Sequence, residues 1–275
     1  MNDDQWVDAM NAISEVVMNR PAPIRAFDQI YMRAGDMVRQ ALRVAEWASG
    51  SSLAFIGDGD GIALSVAMLC KLGIVTAGPA RIKVFDFDER IVNSVRRLAN
   101  KTRLPNVEAS LYNCLKPFPE KGAFEKFYTN PPWGESNKGN SVVVFARRGI
   151  EAINYVGEGM IVIADDPELE WPRKVLQKVQ AYAIGRGFYV ASMQPRLHGY
   201  HLPEAEYLRS CNLVVGSVPG MARAHDQDTI EEAQLANFYG RSKEPRVRYV
   251  LDRARPDRDR AVEEDYELEM WEKLR

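Results

Sequence analysis

The sequence has few cysteines, no long apolar run and no excess of charge of one sign. Its 3 cysteines (Cys70, Cys114 and Cys211) stand singly, without a C-x-x-C pair, so neither a disulfide framework nor a zinc site is indicated. No apolar stretch approaches the roughly 18–20 residues that span a bilayer. The acidic start MNDDQWVDAM lacks the basic and apolar segments of a signal peptide. We therefore expect a cytoplasmic protein that does not enter a membrane.

Acidic and basic residues are nearly balanced in the chain. The 275 residues include 36 Lys and Arg against 38 Asp and Glu, a net charge of −2. A surface that binds the phosphates of a nucleic acid normally carries a basic excess. The balance therefore disfavours nucleic acid as a partner, although Arg147, Arg148 and Lys138 leave a local basic patch open. It suits a small cationic ligand better, and a homodimer is compatible with it.

Short apolar strands alternate with helices along the middle of the chain. The pattern predicts strands at 53–56, 82–87, 107–113, 124–129 and 159–164, helices at 62–72, 89–101, 141–155 and 171–184, and a hairpin of 187–193 with 209–217. Such alternation indicates a largely parallel sheet with helices on both faces. Sheets of this kind bind ligands beyond the carboxyl ends of their strands.

The first predicted strand ends in the loop Gly57–Gly61, which reads GDGDG. Glycines let the backbone turn sharply and approach a ligand closely, but the spacing is not the dinucleotide pattern G-x-G-x-x-G. Asp58 and Asp60 would repel a pyrophosphate, so the loop suits a ligand with cationic groups. S-adenosylmethionine and its decarboxylated form are such ligands. A tight turn with two solvated aspartates is the alternative.

Polar residues also end the second and third predicted strands. Asp86 is our first candidate for binding the ribose hydroxyls of the same ligand, and Asp88 is the second. Asp88 with Glu89 is alternatively a helix cap. Asn113 follows the third strand, where its amide oxygen would meet an adenine amino group, or it is a simple turn residue.

The fourth predicted strand runs into the turn Asn130–Gly134, which reads NPPWG and is the most specific feature of the chain. Two prolines fix the backbone and remove two donors, leaving carbonyl acceptors. The Asn130 oxygen and the Pro131 carbonyl can hold an amine by its hydrogens and aim its lone pair at an electrophile. Trp133 adds a face for a planar base or a cation. The turn therefore suits alkylation at nitrogen, and a rigid turn with a core tryptophan is the alternative.

Acidic residues and two histidines complete the candidate set. Asp165 and Asp166 follow the fifth strand, where they would bind a polyamine or merely favour a helix N-terminus. Glu135, next to the Pro-Pro turn, is a further candidate for the substrate. His198 and His201 have no third ligand in place, so we expect hydrogen-bonding or surface roles and no metal.

These segments resemble the class I S-adenosylmethionine-dependent methyltransferase fold and, more closely, the branched-chain polyamine synthases, the bis(aminopropyl)spermidine synthase family. The stretches that carry the resemblance are RPAPIRAFDQ at 20–29, FIGDGDGIALSVAM at 55–68, VFDFDERIV at 84–92, FYTNPPWG at 127–134 and RRGIEAI at 147–153. The resemblance implies a Rossmann-like, mostly parallel seven-stranded sheet. It also implies aminopropyl transfer from decarboxylated S-adenosylmethionine to a polyamine nitrogen, without a metal.

The resemblance also assigns roles to residues of this sequence. It implies donor binding by Asp28, Gln29, Gly57, Asp58, Gly59, Asp60, Asp86, Asp88 and Asn113. Catalytic roles fall to Asn130, Pro131, Trp133 and Asp58, and substrate binding to Trp133, Glu135, Asp165 and Asp166.

Three regions are expected along the chain. Residues 1–50, with helices at 3–18 and 27–48, form an N-terminal helical segment that covers the donor site. Residues 51–220 form the Rossmann-like domain. Residues 221–275 form a helical or charged extension, because 241–275 carries closely alternating acids and bases.

Departures from the family pattern keep other functions open. The family loop is typically G-D-D-D, and this chain has Gly59 where the second acid would stand. The family typically has Asp before Pro-Pro, and this chain has Asn130, the form that adenine amino-methyltransferases use. We also expect no N-terminal winged-helix-like domain. The alternatives are an N-methyltransferase acting on a small amine or an adenine, and a ligand-binding relative without catalysis.

Overall fold

The computed structural model of the protein describes residues 2–221, 230, 235–240, 247–253 and 266–271. Its helices are α1 (Asp3–Asn19), α2 (Ala34–Trp47), α3 (Ile62–Lys71), α4 (Glu89–Lys101), α5 (Asn140–Ala152) and α6 (Glu170–Gly185). Its strands are β1 (Ser52–Ile56), β2 (Arg81–Asp86), β3 (Val107–Leu111), β4 (Lys126–Thr129), β5 (Glu158–Ala164), β6 (Phe188–Gly199), β7 (Arg209–Ser217), β8 (Val247–Asp252) and β9 (Tyr266–Met270).

Seven strands form one sheet in the order β3-β2-β1-β4-β5-β7-β6. Strands β1 to β5 run parallel, and β7 is antiparallel to both β5 and β6. The predicted α/β class and the predicted hairpin are therefore confirmed. The strand order reverses at β1, between β2 and β4, which is where open sheets of this kind leave a crevice for a ligand.

The core lies on both faces of the sheet because successive strand residues point to opposite sides. In β1, Leu53 and Phe55 pack with α1 to α4, whereas Ala54 and Ile56 pack with α5 and α6. Helix α5 approaches the sheet closely at Gly149, where an added Cβ would lie 2.1 Å from the Phe127 ring. This packing brings the N-terminal end of α5 to the edge where the loops after β1 and β4 lie.

The predicted helix at 27–48 is wrong for its first seven residues. A short 3-10 turn covers Arg25–Phe27, Asp28 has a left-handed backbone (φ 55°), and α2 begins only at Ala34. The backbone donors of this stretch are taken by distant groups. Met32 N donates to the Asp60 carboxylate, and Arg33 N donates to the Gly199 carbonyl. Tertiary hydrogen bonds therefore replace the helical ones.

The helical extension expected beyond residue 220 is also wrong where the structure describes it. Strands β8 and β9 pair antiparallel, because Val247–Asp252 is rich in β-branched and aromatic residues that fit a strand. Val250 N donates to the Phe87 carbonyl, which attaches this hairpin beside the end of β2. Residues 241–246, 254–265 and 272–275 lie outside the described part of the chain.

Within the described residues, every helix is too short or too polar to serve as a membrane span.

Candidate active site

A cavity of about 590 Å³ opens beyond the carboxyl ends of β1, β2 and β4. Its wall includes the segment Phe27–Tyr31, the loop Gly57–Asp60, Asp86 and the turn Asn130–Glu135. The parallel strands bring the glycine loop and the Pro-Pro turn together, as their positions in the sequence predicted. Because the described segment before α2 forms one side, the N-terminal region contributes directly to the wall.

Asp58 and Asp86 line the side of the cavity where β1 and β2 end. The Asp58 carboxylate accepts from the Ile62 and Ala63 amides at 2.8 and 2.9 Å, so it caps α3. The Asp86 carboxylate accepts from the amides of Asp58 and Asp88 at 3.0 and 2.9 Å, which joins the two loops. Burial raises the pKa of Asp58 well above its usual value. Burial, with the nearby charge of Asp88, raises the pKa of Asp86 to about 7.

Asp60 and Asn130 form a pair across the cavity. One Asp60 oxygen accepts from Met32 N at 2.6 Å, and the other accepts from Asn130 Nδ2 at 2.7 Å. Burial raises the pKa of Asp60, although these donors and Arg20 oppose the shift. A carboxylate accepts hydrogen bonds and does not donate them, so the Asn130 nitrogen must face Asp60. The Asn130 oxygen is then the atom available to a ligand.

Trp133 and Tyr200 form the wall next to Asn130. Their rings meet edge to face with centroids 4.9 Å apart. The Tyr200 hydroxyl also interacts with Asn130, whose hydrogen bond lowers the pKa of that phenol against the larger effect of burial. Trp133 Nε1 is buried and has no hydrogen-bond partner within the described residues. The wall can therefore offer an aromatic face and one unused N–H donor.

An aromatic cluster faces Asp86 from the other direction. Tyr239 stacks on Phe87 with centroids 4.4 Å apart and 12° between the planes, and Phe27 contacts both rings edge to face. All three residues line the cavity. Together they line this side of the cavity with aromatic rings, which suit a planar base.

Most of the predicted site residues line this cavity, and four do not. Those in the wall are Asp28, Gln29, Gly57, Asp58, Gly59, Asp60, Asp86, Asn130, Pro131, Trp133 and Glu135. Asp88 instead caps α4 through Arg90 N and accepts from Gln29, so its alternative interpretation as a cap is confirmed.

Asn113, Asp165 and Asp166 also lie outside the wall. The Asn113 oxygen accepts from Leu115 N and from the Tyr239 hydroxyl, so it contacts a residue of the wall without lining the cavity itself. Asp165 accepts from Arg196 N and Asp166 accepts from Glu168 N. Contact of any of the three with a ligand stays a prediction.

Several residues of the wall were not predicted from the sequence. They are Phe27, Tyr31, Phe87, Trp171, Tyr200 and Tyr239. Phe87 lies between Asp86 and Asp88, so its position at a strand end was a signal that could have identified it. Tyr200 and Tyr239 come from segments far along the chain, and no local spacing joins them to the glycine loop.

The two histidines of the segment His198–His201 differ in environment. His198 is fully buried between Ser210 and Gln40, each 2.8 Å away, whereas His201 is exposed. In the described part of the chain, no group of three or more His, Cys, Asp and Glu side chains is arranged to hold a metal ion.

Comparison with known proteins identifies relatives of this chain. The family model described as the branched-chain polyamine synthase A C-terminal domain matches residues 8–270. The N(4)-bis(aminopropyl)spermidine synthase of Methanocaldococcus jannaschii is 30% identical over 155 residues, which is 54% of this chain and 40% of the relative. The enzyme of the same name from Thermococcus kodakarensis is 27% identical over 157 residues, 56% of this chain and 42% of the relative. The matches therefore span about two fifths of the length of these relatives.

Solved structures share the fold. The branched-chain polyamine synthase of Thermus thermophilus, in complex with N4-aminopropylspermidine and 5'-methylthioadenosine, matches with a TM-score of 0.64 at 20% identity. The match covers 82% of this chain and 69% of that one. A Pyrococcus horikoshii protein proposed to be an RNA methyltransferase matches with a TM-score of 0.54 at 11% identity, over 77% of this chain and 99% of that one. The class I methyltransferase-like fold is therefore confirmed.

Proposed function

Because the chain belongs to the branched-chain polyamine synthase A C-terminal domain family, we propose that it transfers an aminopropyl group from decarboxylated S-adenosylmethionine to a polyamine nitrogen. The relatives named as N(4)-bis(aminopropyl)spermidine synthases support this reaction. The Thermus thermophilus structure supports the same pair of ligands, an aminopropylated polyamine and 5'-methylthioadenosine.

The charge of the cavity wall is the observation that carries the proposal. Among the described residues, six carboxyl groups line it (Asp28, Asp58, Asp60, Asp86, Glu135 and Glu204) against one guanidinium, that of Arg25. Arg25 is itself paired with Glu204. A bound cation favours the ionised form of acids whose pKa burial raises, so such a wall suits cations and disfavours carboxylates. A polyamine and the sulfonium and ammonium of the decarboxylated donor match it, whereas intact S-adenosylmethionine adds a carboxylate.

The donor fits the side of the cavity formed by the first two strand ends. The ribose hydroxyls would donate to Asp86, which lines the cavity between the loops that it joins. The adenine would lie against the aromatic cluster of Phe27, Phe87 and Tyr239, and the charged groups would lie over Asp58 and Asp60. Each of these contacts uses a group that lines the cavity.

The acceptor fits the other side, at the Pro-Pro turn. The Asn130 oxygen would accept a hydrogen from the nucleophilic nitrogen and direct its lone pair at the donor carbon attached to sulfur. Displacement forms the N–C bond and breaks the C–S bond, whose electron pair stays on sulfur and gives 5'-methylthioadenosine. The nitrogen then loses one proton. Asp60, which accepts a hydrogen bond from Asn130 at 2.7 Å, is the carboxylate that we propose receives it.

Methyl transfer is the second candidate, and the turn NPPW favours it. Asn130 and Trp133 would hold a planar amine between an acceptor oxygen and an aromatic face, and the unpaired Trp133 N–H is a donor for the carboxylate of an intact donor. The acidic wall disfavours nucleic acid as the acceptor, because phosphates would face the same repulsion.

Turnover with both donors separates the candidates. The purified chain is incubated with decarboxylated or intact S-adenosylmethionine and with spermidine or an adenine-containing oligonucleotide, and the products are identified by mass spectrometry. We expect aminopropylated spermidine and 5'-methylthioadenosine. A methylated acceptor with S-adenosylhomocysteine would replace the proposal by the second candidate. Binding heat without any product would favour a non-catalytic relative.

Two substitutions locate the reaction in the cavity. Asn130→Ala removes the oxygen that holds the acceptor, so turnover falls while 5'-methylthioadenosine still binds. Asn106→Ala is the matched control, because Asn106 precedes β3 at the opposite edge of the sheet and its side chain donates to the Pro79 carbonyl, away from the cavity. Equal turnover of the two variants would remove Asn130 from the site.

The cytoplasm is the proposed location, because Cys70, Cys114 and Cys211 are all unpaired thiols, as a reducing compartment keeps them. A homodimer stays a prediction.

A further inference from the structure

A buried chain of polar side chains runs from the cavity wall into the protein. The Tyr200 hydroxyl lies 2.8 Å from Ser210 Oγ, which lies 2.8 Å from His198 Nδ1. His198 Nε2 lies 2.8 Å from Gln40 Oε1. Ser210, His198 and Gln40 have no exposed surface. The sequence analysis singled out His198 without a function, and the proposed mechanism does not use it.

Gln40 determines which His198 nitrogen carries the proton. Its amide nitrogen donates to the Asn212 oxygen at 2.9 Å and also lies near the Tyr128 hydroxyl and the Met160 sulfur, at 3.4 and 3.6 Å. Its oxygen accepts from Asn212 Nδ2 at 2.8 Å and faces His198 Nε2. His198 Nε2 must therefore donate. Burial lowers the pKa of His198 to about 4, so the ring is neutral and its Nδ1 only accepts.

The neutral ring then orders the hydroxyl groups toward the cavity. Ser210 donates to His198 Nδ1, so its oxygen is free to accept from Tyr200. Because the Tyr200 hydroxyl donates its hydrogen to Ser210, its oxygen can only accept a hydrogen bond from the Asn130 amide on its other side. Asn130 Nδ2 donates one of its two hydrogens to Asp60 at 2.7 Å, and the second is the one that the Tyr200 oxygen can accept. With both N–H groups directed in this way, the amide oxygen is left for the cavity.

We propose that His198 and Ser210 are positioning residues, which act through Tyr200 to hold the Asn130 oxygen toward the acceptor nitrogen. The inference rests on the proposed function, in which this oxygen holds the amine. Rotation of an amide by half a turn exchanges its oxygen and its nitrogen, whereas the two oxygens of a carboxylate are equivalent acceptors. An Asn before Pro-Pro therefore needs a partner that only accepts on each side, and the buried chain makes Tyr200 such a partner.

Nuclear magnetic resonance of the unmodified protein tests the first step without any turnover. The chain has 3 histidines, so ¹⁵N-labelled imidazole signals can be assigned with His201→Asn and His198→Asn. We expect neutral His198 with the hydrogen on Nε2 at pH 7. A hydrogen on Nδ1, or a charged ring, would reverse the order of donors and overturn the proposal.

A double-mutant cycle tests the second step. Ser210→Ala frees the Tyr200 hydroxyl to donate to the Asn130 oxygen, so we expect kcat to fall about tenfold, the usual worth of one hydrogen bond. The affinity for 5'-methylthioadenosine should not change. Tyr200→Phe should give a similar fall. Because Ser210 acts through Tyr200, adding Ser210→Ala to Tyr200→Phe should cost nothing more.

Two further variants separate positioning from a loss of packing. Ser210→Thr keeps the hydroxyl and should restore kcat. Ser217→Ala is the matched control, since Ser217 lies at the opposite end of β7 and accepts only from Gly157 N. Additive losses in the double mutant, near a hundredfold, would contradict the inference even if aminopropyl transfer is established. If the parent protein transfers no aminopropyl group, the proposed function fails, while the histidine signals still decide the order of the hydrogen bonds.

Discussion

Replacing Asn130 by aspartate tests the pair that Asn130 forms with Asp60. Asn130 Nδ2 lies 2.7 Å from an Asp60 oxygen, so Asn130→Asp brings two carboxylates to hydrogen-bond distance. Two full charges at this separation repel by roughly 6 kcal/mol at an effective dielectric constant of 20. That energy corresponds to several pKa units, so the pair keeps one proton at neutral pH.

The retained proton makes the stability of Asn130→Asp depend on pH. An unfolded aspartate ionises near pH 3.9, and the folded pair ionises fully only at much higher pH. Between these values the folded state binds more protons, so the stability of the variant relative to the parent falls as the pH rises, by at most about 1.4 kcal/mol per pH unit. We expect a small difference in Tm at pH 5 and a loss of several degrees at pH 8.

The same proton limits any gain in rate. A carboxylate that accepts the amine proton is worth roughly 10²–10⁴ in rate, but a pair that already holds a proton accepts another poorly. Asn130→Asp should therefore keep or raise aminopropyl transfer only at high pH, and spermidine should raise its Tm more than that of the parent.

Thermal unfolding at both pH values, with and without spermidine, is the assay. Asn106→Asp, at the opposite edge of the sheet, controls for the added charge. A difference in Tm between Asn130→Asp and the parent that is the same at pH 5 and pH 8 would refute the reasoning.

Four other expectations follow from the same geometry. Asp86→Ala leaves ribose hydroxyls unpaired and should weaken 5'-methylthioadenosine binding by about 2–3 kcal/mol in calorimetry. In the parent, the affinity for this ligand should rise with pH up to about 7 and then level off, because the hydroxyls need an ionised Asp86 and its pKa is raised to about 7. Calorimetry should also show tighter binding of the decarboxylated donor than of the intact one, since the wall repels a carboxylate. Gly149→Ala should lower the free energy of unfolding by roughly 1–3 kcal/mol, because its Cβ would lie 2.1 Å from the Phe127 ring.

Each of these expectations has a control and a contrary result. Unchanged affinity in Asp86→Ala would remove Asp86 from the ribose site, and Asp4→Ala, at an exposed position of α1, should bind as the parent does. Affinity that is flat between pH 5.5 and 8 would separate Asp86 from the ribose. Preference for the intact donor would put methyl transfer first. Gly185→Ala has no atom within 4 Å of the added Cβ, so a Tm equal to that of Gly149→Ala would contradict the packing argument.

The sheet and half of the site were predictable because their signals are local. The alternation of apolar strands with helices predicted the α/β fold class. The ends of the predicted strands indicated the glycine loop, Asp86 and the Pro-Pro turn as site candidates. The start of α2 was not predictable, because the donors of Met32 and Arg33 are taken by Asp60 and Gly199, which lie far away in sequence. The strand at Val247 was not predicted, because the closely alternating acids and bases of 241–275 resemble those of a solvated helix.

The roles of single acids were the hardest to assign. Asp58, Asp60 and Asp86 line the cavity. Asp88, at the same strand end as Asp86, caps α4 instead. Residue type and position at a strand end are the same for all four. Only the packing of Arg90 and Gln29 around Asp88 separates it from the others, and that packing depends on the folded chain.

The contact between Met32 and Tyr200 has a consequence for the order of folding. Arg33 N donates to the Gly199 carbonyl and His201 N donates to the Tyr31 carbonyl, so two short stretches that are far apart in the sequence pair directly. Closing so long a loop costs entropy that local contacts do not, so this pairing forms late in folding. We therefore expect the Tyr200 side of the cavity to assemble after the parallel strands, and mild denaturant to abolish turnover while the sheet is still intact.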